Sequence, residues 1–466
     1  MSRTRAPWSA WRVGGSPVVV VVGVAAIVAA LAVAMQRSSY DVWGAFWVGP
    51  LLLGLTVPIA RHMAKVERDA NVGRLVLLAF FAKVIVGTVA RYVTVNGVYG
   101  NGDSKGYTDA GKLLAPLLRH GDYSNLGKVS GTRFISILTG QVFAVIGPTE
   151  LGGYLVYSFF GFLGLVLLVR AFRIAVPDGD HVRYRLLVFF FPTMLFWPSS
   201  IGKDAWMLLC IGLGAYGLAR ALTGRLWGAV PLGLGLWGAA VVRPHIALLL
   251  IVAGAAAVLV RFAAPSQSGG GRVHRLRSVL LAVVLLVGIV ALTNRAESFF
   301  HLNSLDPESA TSVLTQVNQR TGQGGSQFSA PSATTPWGYG RALVTVLFRP
   351  FPGEGHGALG LVAAGEGVLF LLAVFGSIRR LARLPSQARR DPYVLAALAY
   401  LLGFVYAFSS INNFGILVRQ RAQVLPFAFV LLSLPAMRRP ARHLATFDRR
   451  ADAATGERSM APSGNG

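Results

Sequence analysis

Apolar residues in this chain come in blocks long enough to cross a bilayer as helices, which leaves few alternatives for the fold. Runs of about 16–20 such residues suffice for a span. Blocks of this kind lie near 17–35, 42–60, 75–93, 153–170, 186–198, 204–220, 226–242, 245–261, 278–294, 357–377, 393–409 and 422–437. The 186–198 block is short and is expected to tilt or to thin the bilayer locally. Hydrophobic residues make up 54% of the chain and charged residues 14%. That charged share is about half the usual one, which excludes a soluble enzyme and a disordered chain. The single cysteine, Cys210, sits inside an apolar block. A disulfide framework and a Cys-based zinc site are therefore excluded.

The net charge of +25 would point to nucleic acid in a soluble protein. Here it reports orientation, because Lys and Arg collect on cytoplasmic loops. Arg3, Arg5 and Arg12 precede the first span and put the N-terminus inside. One further block, 133–147, is ambiguous by length. If it does not cross, linkers 61–74, 170–185, 220–225, 261–277, 379–392 and the tail after Met437 all fall inside. The inside then holds 28 of the 44 Lys and Arg residues and the outside 15, with Lys83 left in the membrane. Block 133–147 is therefore read as an outer-surface or re-entrant helix. The first block is long for a cleaved leader and a second span follows quickly, so it is read as a span.

The expected fold is all-α: a polytopic transmembrane bundle of about twelve spans in the cell membrane, with both termini cytoplasmic. A cytoplasmic N-terminus (1–16) leads into a transmembrane region (17–437) with outer loops 94–152 and 295–356. A basic, disordered cytoplasmic tail (438–466) follows. No internal repeat is evident, which argues against transporters built from two halves.

The outer loops hold nearly every residue with chemical potential. In the first, Gly100 and Gly102 allow a tight turn. Asp103 or Ser104 then caps a surface helix whose apolar side is Tyr107, Ala110, Leu114, Leu117 and Leu118. Asp103 is either that cap alone or a functional acid at the membrane boundary. Between two spans, Trp197-Pro198-Ser199-Ser200-Ile201-Gly202-Lys203-Asp204 opens a helix. Ser200 as cap and Asp204 as a helix-end charge give one reading. An anion site made by the helix N-terminus and Lys203 gives the other. Arg243-Pro244-His245 occupies a short turn, and Asp306-Pro307-Glu308 is a good helix start within 295–340. Beyond it lie Arg349 and, in the same outer loop, Glu354 and His356. Arg419 and Arg421 sit outside, against the orientation bias; they could bracket a phosphate in an extended chain or flank it at a helix start. No HExxH motif or carboxylate cluster marks a metal site.

This layout resembles the GT-C superfamily of integral membrane glycosyltransferases. The resemblance rests on Gly102-Asp103-Ser104 followed by Tyr107 in a long first outer loop, and on basic residues in later outer loops. It covers about residues 75–426. It implies a polyprenyl-phosphate-linked sugar as donor, a glycan or lipid of the cell envelope as acceptor, and transfer on the outer side. Asp103 becomes the catalytic base or a residue that helps bind a divalent metal, with Asp109 as runner-up. Lys203, Arg243, His245, Arg349, Glu354, Arg419 and Arg421 become the lipid-phosphate and substrate site. No nucleic acid is implied as a partner.

Two other classes use similar residues. A polysaccharide polymerase or ligase of the O-antigen type would need Arg243, Arg419 and Arg421 and tolerate loss of Asp103 better. A non-enzymatic transporter of lipid-linked sugars would need the arginines and Lys83 and form no product. Lys83 and Glu366 lie about 12 and 14 Å into their spans from opposite faces, by the helical rise. They are expected to pair, because intramembrane charges usually find a partner.

Overall fold

The computed structural model describes residues 17–100, 102–124, 126–127, 129–263, 326–355 and 357–435, with isolated positions between 285 and 322. Among them the chain is helical, and Gln327 and Asn413 form one isolated antiparallel bridge. The block 278–294 (apart from 285, 288 and 289), the helix start at 306–308 and the tail 438–466 lie outside the described residues.

Helices α1 (Pro17–Gln36), α2 (Tyr40–Glu67) and α3 (Ala70–Val98) come first. Two helices of the 94–152 segment follow, α4 (Asp103–Arg119) and α5 (Gly131–Ile146). Next come α6 (Glu150–Ala175), α7 (His181–Phe190), α8 (Pro192–Phe196), α9 (Lys203–Leu222), α10 (Ala229–Val242) and α11 (Pro244–Ala263). The C-terminal part holds α12 (Pro336–Phe348), α13 (Gly357–Phe375), α14 (Leu384–Arg390), α15 (Pro392–Phe408), α16 (Phe414–Gln420) and α17 (Leu425–Leu432). By length and composition, α2, α3, α6, α9 and α13 can each cross a membrane. The bent pairs α14–α15 and 414–432 raise the number to 7 among the described residues if each is one span.

Local chemistry explains two departures from the expected spans. The 186–198 block is not one helix. Pro192 supplies no N–H and pushes the preceding residue out of the α region, and Phe191 is extended at φ −65°, ψ 134°. The chain therefore breaks into α7 and α8 and runs through an irregular turn into α9. The 422–437 block likewise contains a 59° bend after Gln423, with Pro426 in the first turn of α17. Block 133–147 is α5, and it packs on α4 through glycines. A Cβ at Gly140 would lie 2.8 Å from that of Leu114, so the two helices meet closely only because Gly140 has none.

α6 is central and mostly buried. Its contact with α9 is built on small residues. A Cβ at Gly164 would come within 2.6 Å of the Leu208 carbonyl carbon, and one at Gly212 within 2.7 Å of Gly164 Cα. In lipid, where apolar surface is not squeezed out by water, such close backbone approach supplies the association energy through van der Waals contact. Buried rings fill the space around it, including Tyr154, Tyr157, Phe162 and Phe172.

Lys83 and Glu366 do not pair. Lys83 lies in a stretch of π-helical turns, Phe81–Gly87. Its ammonium donates to Met194 O at 2.8 Å, Pro198 O at 3.1 Å and Ser199 Oγ at 3.2 Å. Glu366 instead accepts a hydrogen bond from Thr193 Oγ1. The reason is the broken helix. Its last carbonyls lack intrahelical partners, so neutral acceptors solvate the ammonium where a counter-charge was expected. Both charges hold the same segment, 193–199, which leads into α9.

Candidate functional site

Two helix starts converge here. Gly100 takes a left-handed conformation, φ 67°, and turns the chain sharply from α3 into α4. Gly102, not Asp103 or Ser104, stands at the N-cap of α4. Asp103 is the first helical residue, and the Ser104 hydroxyl bonds the Tyr154 hydroxyl of α6 at 2.6 Å. Lys112 further anchors α4 to Asp41 of α2 at 2.8 Å. The apolar side of α4 buries Tyr107, Leu114 and Leu118, while Leu117 is largely exposed. At α9, Gly202 again is the N-cap and Ser200 makes no cap bond. Lys203 and Asp204 occupy the first turn. The positive ends of both helices thus each face an aspartate.

Arg419 joins the two. Its Nη1 donates to Asp103 Oδ2 at 2.7 Å and its Nε to Asp204 Oδ2. The Asp103 side chain is 61% exposed and that of Asp204 6%. One guanidinium therefore spans from a carboxylate at the surface to one inside the bundle. Arg243 Nη2 lies 3.3 Å from Asp204 Oδ1, and its Nη1 donates to Gln420 Oε1 at 2.6 Å. Lys203 donates to Thr132 Oγ1 of α5 at 3.0 Å and lies in electrostatic range of Asp103, Asp204, Arg243 and Arg419. Three cations and two carboxylates make the cluster net positive.

Arg419 is placed by a pinned loop. Asn413 caps α16, accepting from Ile416 N at 3.2 Å, and the Ser326 hydroxyl donates to the same oxygen at 3.0 Å. Backbone bonds from Phe328 N to Asn412 O and from Phe414 N to Ser326 O tie loop 326–328 to 412–414. The chain matches no family model, no curated protein and no solved structure. The functional reading therefore stands on this geometry and on the sequence.

Sequence reasoning named Asp103, Lys203, Arg243 and Arg419, and the fold brings these four together. It takes the others elsewhere. Arg421 does not face the same way as Arg419. Two residues of helix turn the side chain through about 200°, and Arg421 is buried with its Nε on Val346 O at 2.8 Å. Arg349 is bound to Glu354 (Nη2–Oε1 2.7 Å, Nε–Oε1 3.0 Å) and stacks over Phe328 and Phe414. Those bonds hold the Glu354 carboxyl below its usual range. His245 lies beside Phe408, with ring centroids 5.9 Å apart. Asp109 is exposed and about 240° round α4 from Asp103, so the two acids do not share a face.

Asp204 is the member of this cluster that sequence reasoning passed over as a helix-end charge. The available signal was an acid inside the first turn of an apolar helix, where burial demands a partner. The described residues hold no group of three or more His, Cys, Asp or Glu able to ligate a metal ion. Both carboxylates moreover already pair with Arg419.

Proposed function

We propose that this chain is a glycosyltransferase of the cell membrane. It resembles the GT-C superfamily, with about twelve spans and both termini cytoplasmic. It moves a sugar from a polyprenyl-phosphate carrier to a cell-envelope glycan or lipid on the outer side. The observation that carries this reading is Arg419, which holds an exposed carboxylate beside two further cations at the head of an apolar helix. Asp103 accepts the proton of the acceptor hydroxyl. The acceptor oxygen then attacks the anomeric carbon as the bond from that carbon to the phosphate oxygen breaks. The electron pair leaves on the phosphate, where Arg419, Lys203 and Arg243 stabilise it. One displacement of this kind inverts the anomeric centre.

Two measurements test the reading. Asp103→Asn is expected to lower transfer by about 10²–10⁴-fold, the usual contribution of a general base. Protein level should stay unchanged because Asp103 is exposed. Mass spectrometry of envelope glycans and lipid-linked sugars gives the readout. Full transfer by the Asn variant would remove Asp103 as base and favour the polymerase or ligase class. For orientation, Asp122→Cys in a Cys210→Ser background should label from outside intact cells, and Arg389→Cys after permeabilisation alone. The reverse pattern would put the site on the cytoplasmic face and end the proposal.

A further inference from the structure

The ion pairs of Arg419 are unequal in a way that the transfer chemistry alone does not require. Its Nε side faces Asp204, which is almost fully buried and also lies against Arg243. Its Nη1 faces Asp103, whose side chain is mostly in solvent. An exposed ion pair is weak, because water screens it and can replace either partner. A buried one is hard to break, because the charge left behind has no solvent. Arg419 is thus anchored on one side and exchangeable on the other. Among the described residues the Asp103 carboxylate makes no other hydrogen bond or ion pair, and as the first residue of α4 it hangs beside a helix that Ser104 and Lys112 fix independently.

We propose that Asp103 is a built-in competitor for the phosphate group of the donor, and that phosphate binding to Arg419 is what releases the base. The inference rests on the transferase reading above. Without donor, Oδ2 of Asp103 is engaged by a guanidinium N–H and offers no free lone pair in that direction. A phosphate brings more negative charge and a geometry matched to the guanidinium fork. It takes the Nη face while Asp204 keeps Nε, so the arginine stays in place. Asp103 is then left without its cation, next to the sugar, and accepts the acceptor proton. An empty site would thereby carry a masked base, and a loaded site an unmasked one. Asp204 is the positioning residue in this scheme: it touches no substrate and sets the arginine's orientation.

The sign of one substitution tests it. Farnesyl phosphate serves as the probe, titrated into the full chain in detergent. Asp103→Asn removes the competing charge and should bind the probe about tenfold more tightly, or about 1.4 kcal/mol, even as transfer falls. Asp103→Glu keeps the charge and should bind near the wild-type level. Equal or weaker binding by the Asn variant overturns the proposal. The base reading fails separately: tighter binding with full transfer would keep the competition and remove the base. Lost transfer with unchanged binding would do the reverse. Inorganic phosphate in a parallel titration separates the sources. A gain confined to farnesyl phosphate supports a lipid donor, whereas an equal gain with inorganic phosphate assigns the competition to a soluble phosphate and overturns the lipid source.

Discussion

Asp204→Asn is expected to lower stability by about 3–5 kcal/mol and to abolish transfer. The carboxylate is 6% exposed and serves two guanidinium groups, Arg419 directly and Arg243 at 3.3 Å. Asn keeps the shape and loses the charge. Two arginines are then left at the head of an apolar helix with no buried acid between them. Removing one partner of a buried ion pair costs about 3–5 kcal/mol, because the remaining charge cannot regain water. Thermal unfolding of the purified protein in detergent measures the loss. Asp204→Glu separates charge from fit, since it retains the charge but adds a methylene in a packed site. A stable Asn variant would show that Arg419 and Arg243 find other partners, and the site geometry would need redrawing.

Lys83→Met is expected to destabilise by roughly 3 kcal/mol or more, and Glu366→Leu should not rescue it. Lys83 donates to two carbonyls and a hydroxyl of the broken helix. Each buried acceptor left without a donor costs about 1–3 kcal/mol. A charge pair would behave differently: removing both members would restore most of what either single change lost. Glu366 is bonded to Thr193, so its loss returns no donor to the acceptors that Lys83 leaves. The double variant should therefore be at least as unstable as the worse single variant. Protein level and unfolding temperature across the four proteins of a double-substitution cycle decide it. Recovery in the double variant would mean that the two charges meet after all. Transfer should fall with Lys83→Met as well, because the segment it holds runs directly into Gly202, Lys203 and Asp204.

Block length was sufficient to read from the sequence an all-helical chain with helices long and apolar enough to cross a membrane. It is a local property, and hydrophobic transfer acts on each segment whatever its neighbours do. The helix after Gly102 was legible for the same reason, since apolar spacing in Tyr107, Leu114 and Leu118 depends only on 3.6 residues per turn. Asp103, Lys203, Arg243 and Arg419 stood out because charge at the end of an apolar span is costly. Which charge meets which was not legible. Arg419 reaches Asp204 across 215 positions of chain and Asp103 across 316. Arg421 bonds a backbone carbonyl, which carries no residue identity to read. The pairing of Lys83 with carbonyls, against an expected Glu366, depends on a helix broken at Pro192 and on Gly161, where a Cβ would lie 3.0 Å from both Lys83 Cε and Pro198 O. Burial and partner choice for a charge are set by what packs around it, and that is decided only when distant helices close on one another.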